Sequence, residues 1–214
     1  MDFNKIFSLD WGFSMLRWIL AAVCGYLFGS ISSAVLLSRG LFREDVRSMG
    51  SGNAGATNMA RVYGMLPGIL AFFCDALKTV AAMGLGWLLD GSLGMSIGGV
   101  ACLIGHCWPV FFQMRGGKGV SVGAVVALMI DWRILLLLVV IFFVVFAITK
   151  VVSICSIAVA VVLPVAALLL PQPLPEQLLA IFAGLLVIWQ HRTNILRLIR
   201  GEEKKFVPKS RKKE

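Results

Sequence analysis

Charge is scarce in this chain. Only 14% of its 214 residues are Asp, Glu, Lys or Arg, while 59% are hydrophobic, and the mean hydropathy is +0.90. A soluble domain carries about 25% charged and about 45–50% apolar residues. So few polar side chains cannot cover a water-soluble globule of this length. Disorder is excluded for the same reason, because disordered chains are poor in apolar residues. What remains is an integral membrane protein.

Acidic residues are the scarcer sign, 11 against 20 Lys and Arg, for a net charge of +9. Alone, that excess could point to nucleic acid; in a membrane protein it encodes orientation. A disulfide framework is also missing. Cys24, Cys74, Cys102, Cys107 and Cys155 are odd in number, lie in apolar stretches and form no CxxC. Cys102, His106 and Cys107 have no fourth ligand nearby, and a helix would spread them, so they read as packing residues and no metal is expected. The N-terminus lacks the basic segment and the small-residue cleavage site of a signal peptide. No internal repeat is evident.

What is abundant is apolar length. A helix needs about 20 apolar residues to cross about 30 Å of hydrocarbon. Candidate runs cover residues 15–37, 65–89, 93–112, 120–130, 134–148, 151–170 and 178–190, with the fourth and seventh weakest. Pro171, Pro173 and Pro175 separate the last two. The expected fold is therefore all-α, with about seven transmembrane helices. If the C-terminus is cytoplasmic, 16 Lys and Arg fall on the cytoplasmic side, three on the other, and Lys78 within a span. The two faces then carry +11 and −2, a strong positive-inside bias that puts the N-terminus outside. Residues 1–203 form one polytopic membrane domain in this reading, and 204–214 a basic cytoplasmic tail suited to solvent or to anionic headgroups.

Three segments on that same side carry more chemistry than a connection needs. The first runs from Gly50 through Ser51, Gly52, Asn53, Ala54, Gly55, Ala56 and Thr57 to Asn58, with Arg61 following. Small residues expose successive N–H groups as an anion nest, short side chains add donors, and an arginine offers a fork for phosphate oxygens. A helix starting near Thr57 would add positive potential at its N-terminus. The second segment is Arg115-Gly116-Gly117-Lys118-Gly119. It is not a nucleotide P-loop, since Phe112 and Gly119 stand where a glycine and a hydroxyl are required. The third is His191-Arg192-Thr193-Asn194-Ile195-Leu196-Arg197, where helical spacing puts His191, Asn194 and Arg197 on one face. Asp75 and Lys78, three residues apart inside a span, read as a structural ion pair. Ser153 and Ser156 open the sixth span on the same side, and His106 is open to a packing or a catalytic reading. Together these features suggest a phosphate site at the cytoplasmic bilayer surface, with apolar spans beside it.

The Gly50–Asn58 segment with Arg61 resembles the signature of the bacterial acyl-phosphate:glycerol-3-phosphate acyltransferases, the PlsY family. So do Asp75-Ala-Leu-Lys78, Gly105-His106 leading into Arg115-Gly-Gly-Lys118-Gly-Val120, and His191-Arg-Thr-Asn194-Ile-Leu-Arg197. The four motifs agree in order and spacing across about residues 25–203. The resemblance implies acyl transfer from acyl phosphate to the 1-hydroxyl of sn-glycerol 3-phosphate, giving lysophosphatidic acid and phosphate at the bacterial inner membrane. It implies Ser51, Arg61, Lys118, His191 and Asn194 as catalytic residues. Gly52, Asn53, Gly55, Thr57, Asn58, Gly116, Gly117, Ser153 and Arg197 would then bind substrate. Which phosphate each residue holds stays open. Expected partners are acyl phosphate, glycerol 3-phosphate and membrane lipid; no cofactor, nucleic acid, CoA or acyl carrier protein is expected. The His-x-x-x-x-Asp pair of thioester-dependent acyltransferases is missing, since Phe111 and Leu196 stand five residues after the two histidines. The alternatives weighed are an organophosphate transporter, for which no repeat suggests alternating access, and a metal-dependent phosphotransferase, for which the aspartates are lacking.

Overall fold

Long apolar runs form helices here, and each helix ends where a glycine, a proline or a polar residue intervenes. The computed structural model describes residues 3–207, with side chains from Trp11 onward. The expected tail residues Lys209, Arg211, Lys212 and Lys213 lie outside the described residues. Among the described residues there are nine α-helices and no strand: α1 (Phe3–Ser30), α2 (Ser33–Phe42), α3 (Ala56–Tyr63), α4 (Met65–Cys107), α5 (Val120–Ile130), α6 (Trp132–Thr149), α7 (Val152–Leu169), α8 (Leu174–Gln190) and α9 (Arg192–Ile199).

The first expected run, residues 15–37, is interrupted after Ser30, where α1 gives way to the separate α2. The third run stops as a helix at Cys107, because Pro109 turns the chain into a single 3-10 turn, Val110–Phe112. The last run begins earlier than expected, at Leu174, with Pro175 in the first helical turn, where a missing N–H costs nothing. Asp131 starts α6 by accepting the Arg133 N–H at 2.8 Å.

By length and apolar composition, four helical stretches among the described residues can cross a membrane, or five if α8 and α9, bent by 54°, count as one span. One of the four is α4, and it doubles back. Asp90 and Gly91 leave helical geometry, Gly91 at φ 52°. On either side the two limbs pack backbone to backbone. A Cβ on Gly86 would fall 2.2 Å from the Gly94 carbonyl oxygen, and one on Gly98 2.7 Å from that of Ala82. Trp18 of α1 donates its indole N–H to the Asp90 carboxylate and so anchors α1 at the hairpin tip. The α1 backbone also lies against the second limb, where a Cβ on Gly29 would meet the Cys102 carbonyl at 2.3 Å. Small residues of this kind let apolar helices approach where lipid removes the ordinary hydrophobic driving force.

The core runs through Met83, Met95, Leu103, Val122, Val126, Ile134, Leu163 and Leu179, contributed by α4 to α8. Large apolar side chains such as Leu88, Phe143, Ile148, Leu169 and Leu185 are exposed, while Asn58, Asp75, Lys78, His106, His191 and Asn194 are buried. That inversion of the soluble pattern suits a lipid-facing exterior around a polar interior. The helix α5, at about 16 Å, is the shortest of the apolar helices and falls well below the usual hydrocarbon thickness, so a crossing there needs the segments that flank it; its start lies beside the polar loops.

Candidate active site

Two loops and one helix end build a common pocket. In the first loop, Asn58 accepts the Ser51 N–H at 2.8 Å through Oδ1 and donates from Nδ2 to the Val46 and Met49 carbonyls at 3.0 and 3.1 Å. Gly50 stands at φ +60°, and a Cβ there would lie 2.3 Å from Asn58 Oδ1. The loop feeds α3 at Gly55, so the free N–H groups of that helix start beside Asn53 and Thr57. Arg47 clamps this loop to the second one. Its guanidinium pairs with Asp45 at 2.8 Å and donates to the Phe112 and Arg115 carbonyls at 2.7 and 3.2 Å. The hydrogen bonds from Arg47 hold the Asp45 carboxyl well below the usual carboxylate range, against the opposing effect of burial.

The second loop folds back over the end of α4. Gly116 N–H donates to the Cys107 carbonyl at 3.2 Å and Gly117 N–H to that of His106 at 3.0 Å. A Cβ on Gly117 would fall 2.1 Å from His106 Nε2, so glycine here lets the imidazole come up beside the backbone. Lys118 follows and donates to the amide oxygen of Asn194. Burial and the Arg197 charge push the Lys118 ammonium down to about 8, with Arg61 and Arg192 adding and Glu203 opposing. The amide nitrogen of Asn194 donates to Glu203 at 2.6 Å, and Arg197 Nε donates to the same carboxylate at 2.6 Å. Burial alone would raise the Glu203 carboxyl, but Arg197, Asn194 and the neighbouring Ser153 hold it below its ordinary value.

His191 ends α8 and donates from Nδ1 to the Val187 carbonyl at 2.8 Å, which leaves a lone pair on Nε2. Burial drives this histidine down to about 4, so it is neutral near pH 7. Ser153 Oγ is enclosed, and the side chain is only 6% exposed; it faces the Glu203 carboxylate, yet among the described residues it makes no hydrogen bond of normal geometry. An enclosed hydroxyl without a partner is costly unless a ligand supplies one.

All of this opens on one cavity of about 780 Å³. One end carries Ser51, Asn53, Thr57, Arg61, Lys118, Ser153, His191, Asn194 and Arg197; the other is walled by Leu135, Leu138, Phe142, Val159, Leu163 and Ala183 of α6, α7 and α8. A cationic, donor-rich end joined to an apolar wall fits a phosphate attached to a hydrocarbon chain. Residues 19–201 match the profile of the glycerol-3-phosphate acyltransferase family. The chain belongs to that family.

Its relatives agree along nearly their whole length. A glycerol-3-phosphate acyltransferase of Shouchella clausii is 42% identical over 197 residues, covering 88% of this chain and 95% of the relative. The crystal structure of PlsY (YgiH), an integral membrane glycerol 3-phosphate acyltransferase, in its glycerol 3-phosphate form, superposes with a TM-score of 0.84 at 32% identity, covering 89% of this chain and 96% of that one. Its lysophosphatidic acid form gives 0.81 at 30% identity, covering 89% and 95%. The chain is therefore an acyltransferase and a membrane protein.

Among the residues expected from the acyltransferase motifs, Ser51, Asn53, Gly55, Thr57, Asn58, Arg61, Lys118, Ser153, His191, Asn194 and Arg197 all border the cavity, while Gly52, Gly116 and Gly117 do not. The amides of Gly116 and Gly117 are spent on loop closure, and Asn58 spends its amide on the loop backbone. The buried Asp75–Lys78 pair closes at 2.9 Å; Lys78 also caps the frayed end of α1 by donating to the Gly29 and Ile31 carbonyls at 3.2 and 2.6 Å. Sequence reasoning missed Arg47, Glu203, Ser33 and Ser121, the last two of which donate to Asp75 at 2.8 and 2.9 Å. Glu203 lies beyond the His191–Arg197 motif, and only the fold brings its carboxylate back onto Asn194.

Proposed function

We propose that this chain transfers a fatty acyl group from acyl phosphate to the 1-hydroxyl of sn-glycerol 3-phosphate, releasing lysophosphatidic acid and inorganic phosphate. That is the first acylation of phospholipid biosynthesis. The observation that carries the reading is the continuity of one cavity from a cationic end to an apolar wall. The glycerol 3-phosphate and lysophosphatidic acid forms of PlsY support the acceptor and the product.

Acyl phosphate is a mixed anhydride, so its carbonyl is already activated and phosphate leaves readily. The enzyme's work is to hold two anions side by side and aim a hydroxyl at that carbonyl. Ser51, Asn53, Gly55 and Thr57 form the phosphate cradle, kept in shape by Gly52, Asn58, Gly116 and Gly117. Arg61, Lys118 and Arg197 neutralise charge, and Ser153 and Asn194 give polar contacts. The hydroxyl oxygen bonds to the carbonyl carbon, the carbon–oxygen bond to phosphate breaks, and the electron pair leaves with phosphate. A substrate phosphate oxygen takes the hydroxyl proton, and His191 orients the hydroxyl through its Nε2 lone pair. His191→Ala losing activity as completely as Lys118→Ala would contradict that assignment.

In the membrane, the crossings are α1, the two limbs of α4, α5, α6, α7 and α8, with the N-terminus outside and the C-terminus and site at the cytoplasmic face of the bacterial inner membrane. The asymmetry of Lys and Arg supports this orientation. Single cysteines at positions 90 and 200 of a cysteine-free variant should be labelled by impermeant reagents from opposite sides. For the reaction, the decisive experiment offers labelled glycerol 3-phosphate with acyl phosphate, acyl-CoA or acyl carrier protein in turn. Product from acyl phosphate alone is expected, and strict dependence on acyl-CoA would overturn the reading.

A further inference from the structure

We propose that His106 is a further substrate-contacting residue, a neutral imidazole that donates its Nε2–H to an anionic phosphate oxygen held beside Gly117 and Lys118. The inference rests on the acyl-transfer reading of the cavity. Its basis is the pairing of the other ring nitrogen. Lys78 Nζ lies 3.1 Å from His106 Nδ1, 2.9 Å from Asp75 Oδ1, and within reach of the Gly29 and Ile31 carbonyls. An ammonium has donors only, and its three hydrogens serve these four neighbours; the Nδ1 that faces it therefore presents a lone pair rather than a hydrogen, and the ring hydrogen sits on Nε2. Asp75 is itself held by the hydroxyls of Ser33 and Ser121, which locks the lysine against the histidine.

Nε2 is the ring atom that the missing side chain of Gly117 makes room for, and His106 borders the cavity. The chain has two histidines, and both reach this one cavity. Their hydrogen bonds fix opposite tautomers: His191 spends its hydrogen on Val187 and offers a lone pair, whereas His106 spends its lone pair on Lys78 and offers a hydrogen. A donor that carries no charge suits a site already crowded with cations, since it stabilises negative charge without adding to their mutual repulsion. During transfer His106 keeps its proton; it strengthens its hydrogen bond as the departing phosphate gains the electron pair. Asp75 and Lys78 then act as positioning residues for this donor.

The test uses the full chain in detergent micelles, labelled with 15N-histidine. With two histidines, either a His106→Phe or a His191→Phe variant assigns both signals. The expected result is an Nε2-bonded hydrogen for His106, an Nδ1-bonded one for His191, and displacement of the His106 Nε2–H signal by inorganic phosphate. In turnover, His106→Phe should lower kcat by about a hundred-fold with KM for glycerol 3-phosphate little changed, and His106→Gln, which keeps a donor, should recover about ten-fold of that. An Nδ1-bonded hydrogen on His106, or no response of that signal to phosphate, overturns the proposal even if His106→Phe fails to fold. Wild-type turnover with undiminished kcat in His106→Phe overturns it too. Failure of the wild-type protein to use acyl phosphate would instead overturn the reading on which it rests.

Discussion

Lys118 donates to the amide oxygen of Asn194, and that contact turns the amide nitrogen of Asn194 toward Glu203. A residue from the second glycine-rich loop is thereby tied to α9 and, through it, to the segment that follows α9. The ammonium sits among Arg61, Arg192, Arg197 and Glu203, with His191 also in its field. Its charge is therefore set by the whole site rather than by one partner.

That setting gives a pH dependence with a definite sign. Lys118 is lowered to about 8, so its cationic form predominates below that pH and is lost above it. kcat/KM should fall as pH rises through about 8, and Lys118→Arg should remove this limb from the accessible range, because guanidinium stays charged. Lys118→Met should lose about a hundred-fold or more at every pH. His191, driven to about 4, should contribute no acidic limb above about pH 5. A pH–rate series on the three proteins checks all of these.

Glu203 favours the charged lysine and fixes Asn194 and Arg197. Glu203→Gln should move the basic limb to lower pH and reduce kcat/KM by about ten-fold, and Glu203→Asp should restore part of both. Tighter binding of glycerol 3-phosphate by Glu203→Gln would instead mean that the carboxylate merely occupies the place of a phosphate.

The glycine-rich loops stood out in the sequence because their residue types are local signals, and the fold sets residues of both loops on one cavity. Seven-run periodicity also anticipated the α4 hairpin, since Asp90 and Gly91 interrupt apolar residues on both sides. What could not be read was long-range. Arg47 earns its place by meeting the Phe112 carbonyl, and Ser33 by meeting Asp75, and neither partner is marked in sequence. Gly116 and Gly117 were read as ligand-approach glycines. In the fold their amides close the loop, and the space left by Gly117 serves His106.

Gly117→Ala follows from that geometry. A methyl group 2.1 Å from His106 Nε2 must displace the ring or the loop, and acyl transfer should fall by at least ten-fold. Gly84→Ala meets nothing within 4 Å and should leave both activity and stability close to wild type. Parallel turnover and thermal unfolding in detergent distinguish the two.

The Asp75–Lys78 pair predicts a stability effect. Asp75→Asn leaves the Lys78 charge buried without its counterion and should cost about 3–5 kcal/mol. Unlike at an exposed pair, added salt should not restore it, because the pair is shielded from solvent. Thermal unfolding in detergent at low and high salt measures this.

The central claim is that one cavity joins an acyl phosphate to glycerol 3-phosphate by positioning the two anions and neutralising their charge. The most direct measurement follows both phosphorus atoms by 31P NMR as purified protein meets acyl phosphate and glycerol 3-phosphate, with chelator present and with CoA and carrier protein left out. The account predicts that acyl phosphate and glycerol 3-phosphate disappear together and that lysophosphatidic acid and inorganic phosphate grow in equal amounts. Phosphate released without lysophosphatidic acid, or no reaction until acyl-CoA is supplied, would contradict it.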